Sequence, residues 1–88
     1  MFIDVYKRSV ATKDLSILRG EYFTDANMKR LALADKDEYR AELLQMICAI
    51  RTLERRIRHL GGDSPFHKEL LVELKEFLDN LQMIRYLL

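Results

Sequence analysis

A chain of 88 residues and 10.5 kDa holds one hydrophobic core, which excludes a second domain. Hydrophobic residues make up 49% and charged residues 33%, with three Gly and one Pro, a composition that excludes a disordered polar chain and favours helix. Fifteen Lys and Arg against fourteen Asp and Glu leave a net charge of +1, so bulk charge does not mark a chain built to coat nucleic acid.

Cys48 has no second cysteine to pair with, and small secreted domains usually rely on several disulfides, so a reducing cytoplasm is the expected compartment. Met1 to Val10 hold Asp4, Lys7 and Arg8 among apolar residues, unlike the apolar run of a signal peptide. No stretch approaches the ~18 apolar residues of a membrane span, so neither export nor membrane attachment is expected.

In chain order, residues 1–23 read as an N-terminal arm and a short helix. The first ten carry two conflicting patterns: Phe2, Asp4, Tyr6 alternating with Ile3 and Val5, against the helical spacing of Ile3, Tyr6 and Val10. They are assigned to the arm, followed by a short helix over residues 12–18 that Gly20 ends. Thr24 or Asp25 can cap a second short helix, residues 24–34, through Met28, Leu31 and Ala32. Asp35 with Glu38 makes an Asp variant of the capping box, which predicts a break there in preference to one helix over residues 25–60.

The second half predicts a long antiparallel hairpin, residues 36–60 and 65–88. Tyr39, Leu43, Met46, Ile50, Leu53, Ile57 and Leu60 form one heptad stripe, and Leu70, Leu74, Phe77, Leu81, Ile84 and Leu88 form another. Between them Gly61 and Gly62 suit a helix end, Ser64 a cap and Pro65 a first helical position. Pairing positions equidistant from the turn sets Ile57 against Leu70, Leu53 against Leu74, Ile50 against Phe77 and Met46 against Leu81. Leu43 then meets Ile84, Tyr39 meets Leu88, and Arg56 comes near Glu73. Leu44, Ile47, Leu71 and Leu78 fall on a flank of the seam, where burial is worth about 1.5 to 3 kcal/mol each as an upper value. A third element, the helices of the first third, is expected to cover them. The fold class is therefore all-α: a coiled-coil-like hairpin with shorter N-terminal helices packed on it. Two hairpins packing as a four-helix bundle would bury the second flank in a homodimer.

Few residue patterns carry chemistry. His59, Asp63 and His67 gather near the turn but lack metal-ligand spacing, and His67, at a seam position beside Leu60, is expected to have a capping or rim role. Cys48 and His59 lie about 16 Å apart along one helix, too far for a thiol and its base. With no nucleophile elbow or Gly-rich phosphate loop either, no enzyme, cofactor or metal is expected. Tyr22 and Phe23 read as a staple against Met28 or Leu31. The apolar flanks Leu44, Ile47, Leu71 and Leu78, with Met83, Tyr86 and Leu87 near the end of the last helix, are the candidate partner surface. They predict a protein-interaction module, an adaptor, inhibitor or modulator that binds itself or a larger protein, with a dimer favoured. The alternative is a nucleic-acid-binding regulator using the stripe Arg51, Arg55 and Arg58, against which stand Glu54 in the patch and Glu69, Glu73 and Glu76 on the neighbouring helix.

Overall fold

The computed structural model describes residues 1–60 and 64–87, which form five α-helices and, among the described residues, no strand. They are α1 (Phe2–Thr12), α2 (Leu15–Glu21), α3 (Asp25–Leu33), α4 (Lys36–His59) and α5 (Pro65–Leu87). The protein is all-α. The turn glycines Gly61 and Gly62, the candidate ligand Asp63 and the last seam position Leu88 lie outside the described residues.

The first ten residues are helical, where an arm was expected. Phe2, Val5 and Ser9 face the core at helical spacing. Ser9 interrupts the apolar series, yet it is buried without cost because its Oγ donates to the Asp14 carbonyl at 2.8 Å. Lys13 ends α1 in the left-handed region (φ 52°, ψ 43°), and its N–H and that of Asp14 donate to the Val10 and Ser9 carbonyls at 3.3 and 3.1 Å. The short helix expected over residues 12–18 is cut by this turn. It begins instead after Asp14, whose Oδ1 accepts from the Ser16 N–H at 3.0 Å. Gly20 does not end it but lies inside α2, with open space where a Cβ would stand.

The caps of α3 and α4 follow the sequence. Thr24 Oγ1 accepts from the Asn27 N–H at 3.1 Å, and Asp35 Oδ1 accepts from the Glu38 N–H at 2.9 Å. Ala34 and Asp35 are extended between Leu33 and Lys36, so residues 25–60 do not make one helix. α3 ends without a left-handed residue, and its open carbonyls are met from α5. Arg85 Nη1 donates to the Ala34 and Ala32 carbonyls at 2.8 and 3.1 Å, and its guanidinium lies 4.3 Å above the Tyr39 ring.

One core unites all five helices. Met46, Ile50 and Leu53 of α4 and Leu70, Leu74, Phe77 and Leu81 of α5, the central residues of the two heptad stripes, are buried in it. Phe2, Val5, Leu15, Leu18, Tyr22 and Leu31 close it from the N-terminal side. Phe23 stacks on Phe77 at 4.6 Å, while Tyr22 lies 5.0 Å from Phe2 and 5.4 Å from Phe77. These two aromatics therefore tie the α2–α3 turn to α5, beyond the local staple expected of them. The Tyr22 hydroxyl donates to Glu42, and burial together with that carboxylate pushes the phenol pKa well up.

Two expected contacts are replaced. Glu73 does not meet Arg56; it pairs at 2.7 Å with Arg19, which also holds Glu69 at 2.8 Å. An α2 guanidinium thus reaches the face of α5 that a hairpin alone would leave to α4. On the cover of the second flank, α1 docks on α4 beside buried Ala49 and α3 docks on α5. Leu71 and Leu78 are half-buried against the core, whereas Leu44 remains 54% exposed. The expected cover is therefore incomplete: α1 meets α4 along Gln45, Ala49 and Thr52, and Ile47 and Leu78 line a groove between α4 and α5. Leu60, the last position of the first stripe, is exposed at the end of α4.

Candidate functional site: an apolar groove with a basic end

α1 is amphipathic in an unusual way, with Phe2 and Val5 turned to the core and Ile3, Tyr6 and Val10 half-buried beside them. These three face Leu44, Cys48 and Thr52 across a groove of about 590 Å³ between α1 and α4. Ala49 and Gln45 also line it, and Gln45 Oε1 is buried there without a hydrogen-bond partner among the described residues. The charged residues lining this groove are Lys7 and Arg56. Burial pushes the Tyr6 phenol pKa up, with the Arg56 charge opposing the shift.

Past Thr52 and Arg56 the surface continues into a second concavity of about 630 Å³, which these two residues share with Arg55, Arg58 and His59. All three arginines are exposed on the last turns of α4. None of the ion pairs among the described residues includes them. Three other arginines are paired: Arg8 holds Glu21 through two bonds of 2.7 and 3.1 Å, Arg30 holds Glu38 at 2.8 Å, and Arg19 holds Glu69 and Glu73. The Glu21 and Glu54 carboxyls are held below the usual range, by hydrogen bonds from Arg8 and Lys75 respectively. Glu69 and Glu73, which on sequence grounds opposed an arginine patch, are held by Arg19 instead.

The sequence candidates are scattered over several surfaces. Leu44 lies in the α1–α4 groove, while Ile47 and Leu78 line a smaller one of about 350 Å³ between α4 and α5. Met83, Tyr86 and Leu87 are strongly exposed near the end of α5, Tyr86 at 89%. Arg55 and Arg58 share the basic concavity, but Arg51 lines the α4–α5 groove with Glu54 and Lys75. His59 and His67 border different concavities, and no group of three or more His, Cys, Asp or Glu suited to a metal occurs among the described residues. Cys48 is exposed in the groove with no His, Asp or Glu among the described residues lining it. Sequence reasoning missed Ile3, Tyr6, Lys7, Val10 and Arg56 as parts of one surface; the helical spacing of Ile3, Tyr6 and Val10 was the available signal.

Comparisons of the chain with family models, curated proteins and solved structures gave no match. Among the described residues no helix is long and apolar enough to cross a membrane.

Proposed function

We propose that this protein is a non-enzymatic interaction module that binds another protein through the α1–α4 groove. The observation that carries the reading is the groove itself: exposed Leu44 opposite Ile3, Tyr6 and Val10, with two charged residues lining it. Apolar clefts with a few placed polar groups are where proteins take up ligands and partner segments. The proposal includes an antiparallel α4–α5 hairpin as the rigid support. Contacts between Tyr39 and Arg85 and between Glu54 and Lys75, which pair early α4 with late α5 and late α4 with middle α5, support that direction. The test is capture from nuclease-treated lysate of the source cells with wild type, Leu44→Glu and Leu87→Glu, each shown by circular dichroism to be folded. A partner kept by Leu87→Glu and lost by Leu44→Glu is the expected result. Loss with Leu87→Glu alone would move the interface to Met83, Tyr86 and Leu87.

A second reading, nucleic-acid binding through Arg55 and Arg58 with Arg56 beside them, is favoured by the convergence of the three on one concavity and by the commitment of Glu69 and Glu73 to Arg19. It predicts affinity falling steeply with salt, and reversal of Arg51, Arg55 and Arg58 to Glu without effect on binding would sink it.

A further inference from the structure

The α1–α4 groove changes chemistry along its length, and that change specifies its occupant; the argument rests on the groove being a docking surface. Its lining runs from Ile3 to Ala11 on α1 and from Leu44 to Arg56 on α4, about 12 and 18 Å at 1.5 Å per residue, or two to three turns of a helix laid in it. One end is apolar around Leu44, while beyond Thr52 the wall is Arg55, Arg56, Arg58 and His59. No Asp or Glu among the described residues lines either part. The α4–α5 groove is the internal contrast. It has Ile47, Ile50 and Leu78 but also Glu54 and Asp79 beside Arg51 and Lys75, and Glu54 and Lys75 are bound to each other at 2.8 Å. Acidic and basic residues thus share that groove, whereas the charged residues lining the α1–α4 groove and its continuation are, among the described residues, all basic.

We infer that the α1–α4 groove takes an amphipathic helix of another protein, with apolar residues at i, i+3 or i+4 and i+7 over the Leu44 end and a cluster of Asp and Glu over Arg55, Arg56 and Arg58. A nucleic-acid strand would use the arginines and leave the apolar floor open. The outer face of α5 from a second copy carries Val72 and Met83, both exposed, but its Glu76 and Asp79 stand between them instead of beyond one end.

The probe is a display library of helix-forming peptides about 18 residues long, with a fixed apolar stripe and the other positions randomised, selected on the full-length chain. Selected peptides are then titrated by fluorescence anisotropy against wild type, Leu44→Glu and the Arg55→Glu/Arg58→Glu double variant, at low and high salt. The expected result is enrichment of Asp and Glu at one end, loss of binding with Leu44→Glu, and a drop of about tenfold or more both in the double variant and at high salt. Peptides lacking acidic bias, yet still lost with Leu44→Glu, would overturn this partner class while leaving the groove as a docking surface. Failure to select any peptide, or equal binding to wild type and Leu44→Glu, would overturn the docking surface as well. Sedimentation showing a dimer that Leu44→Glu dissolves would give the groove to a second copy and overturn the inference.

Discussion

Replacing Arg85 with Met removes a guanidinium while keeping much of its apolar stem, and the consequence can be worked from three contacts. Nη1 caps the C-terminal carbonyls of α3 at Ala34 and Ala32, with a longer contact of 3.4 Å to Leu31, and the guanidinium covers Tyr39 at 4.3 Å. A hydrogen bond from a charged donor contributes about 1.5 to 3 kcal/mol, a cation at a helix C-terminus about 0.3 to 1, and a partly exposed cation–π contact about 0.5 to 1. Arg85 is half-buried and one group makes all three contacts, so the sum does not apply; the low end of the first term with a fraction of the others gives about 2 kcal/mol. For a domain of this size that lowers Tm by about 8 to 16 °C. Urea denaturation followed by far-ultraviolet circular dichroism reads the difference, with Arg85→Lys recovering only part of it because an ammonium cannot span the carbonyls as the guanidinium does. If Arg85→Met stays within about 0.5 kcal/mol of wild type, the range of an ordinary surface substitution, the cap across α3 and α5 contributes nothing and the account of how α3 ends is wrong.

Leu53→Ala, at a buried core position, should cost about 2 to 5 kcal/mol in the same denaturation assay, while Leu87→Ala should leave the midpoint unchanged. Lys13→Val places a β-branched side chain at φ 52° and should destabilise by at least ~1 kcal/mol, whereas Lys13→Gly should be neutral or slightly stabilising. Because the Tyr22 pKa is raised on folding, its contribution is fully present below the unfolded value of about 10 and is lost as pH climbs toward the folded value. Stability should fall by about 1 kcal/mol or more between pH 9 and 11, and Tyr22→Phe, though less stable at pH 8, should lessen that slope and leave the part due to Tyr6; an equal slope in the variant would remove Tyr22 as a source. Arg19→Gln should loosen the attachment of α2 to α5, read as faster amide exchange in residues 15–21, with little change on α4.

The heptad stripes were legible because α4 and α5 are long and their core faces are almost purely apolar, so Met46, Ile50, Leu53, Leu70, Leu74, Phe77 and Leu81 could be read off the spacing. The Asp35 break was legible because its cap is local, with the partner N–H three residues away. α1 was not, because Ser9 holds a core position and Lys13 does the work for which a glycine would have been the signal. Arg19 and Arg85 reach partners about fifty residues away, and nothing in their neighbourhood distinguishes them from solvated side chains. The candidate groove was half visible: Ile3, Tyr6 and Val10 form a face in the sequence, but only the docking of α1 on α4 sets that face opposite Leu44 and leads it to Arg55 and Arg58.

The place of α5 in the core also bears on how the chain is made. Leu70, Leu74, Phe77 and Leu81 complete contacts that Phe2, Leu18, Tyr22, Leu31 and Leu53 begin, and all of those are synthesised earlier. Until residues 65–87 leave the ribosome, the growing chain carries helices with uncovered apolar faces, the state in which nascent chains stick to one another or to chaperones. Folding of these five helices therefore waits for α5, and a chain interrupted within residues 65–87 should aggregate instead of forming a shortened but serviceable bundle.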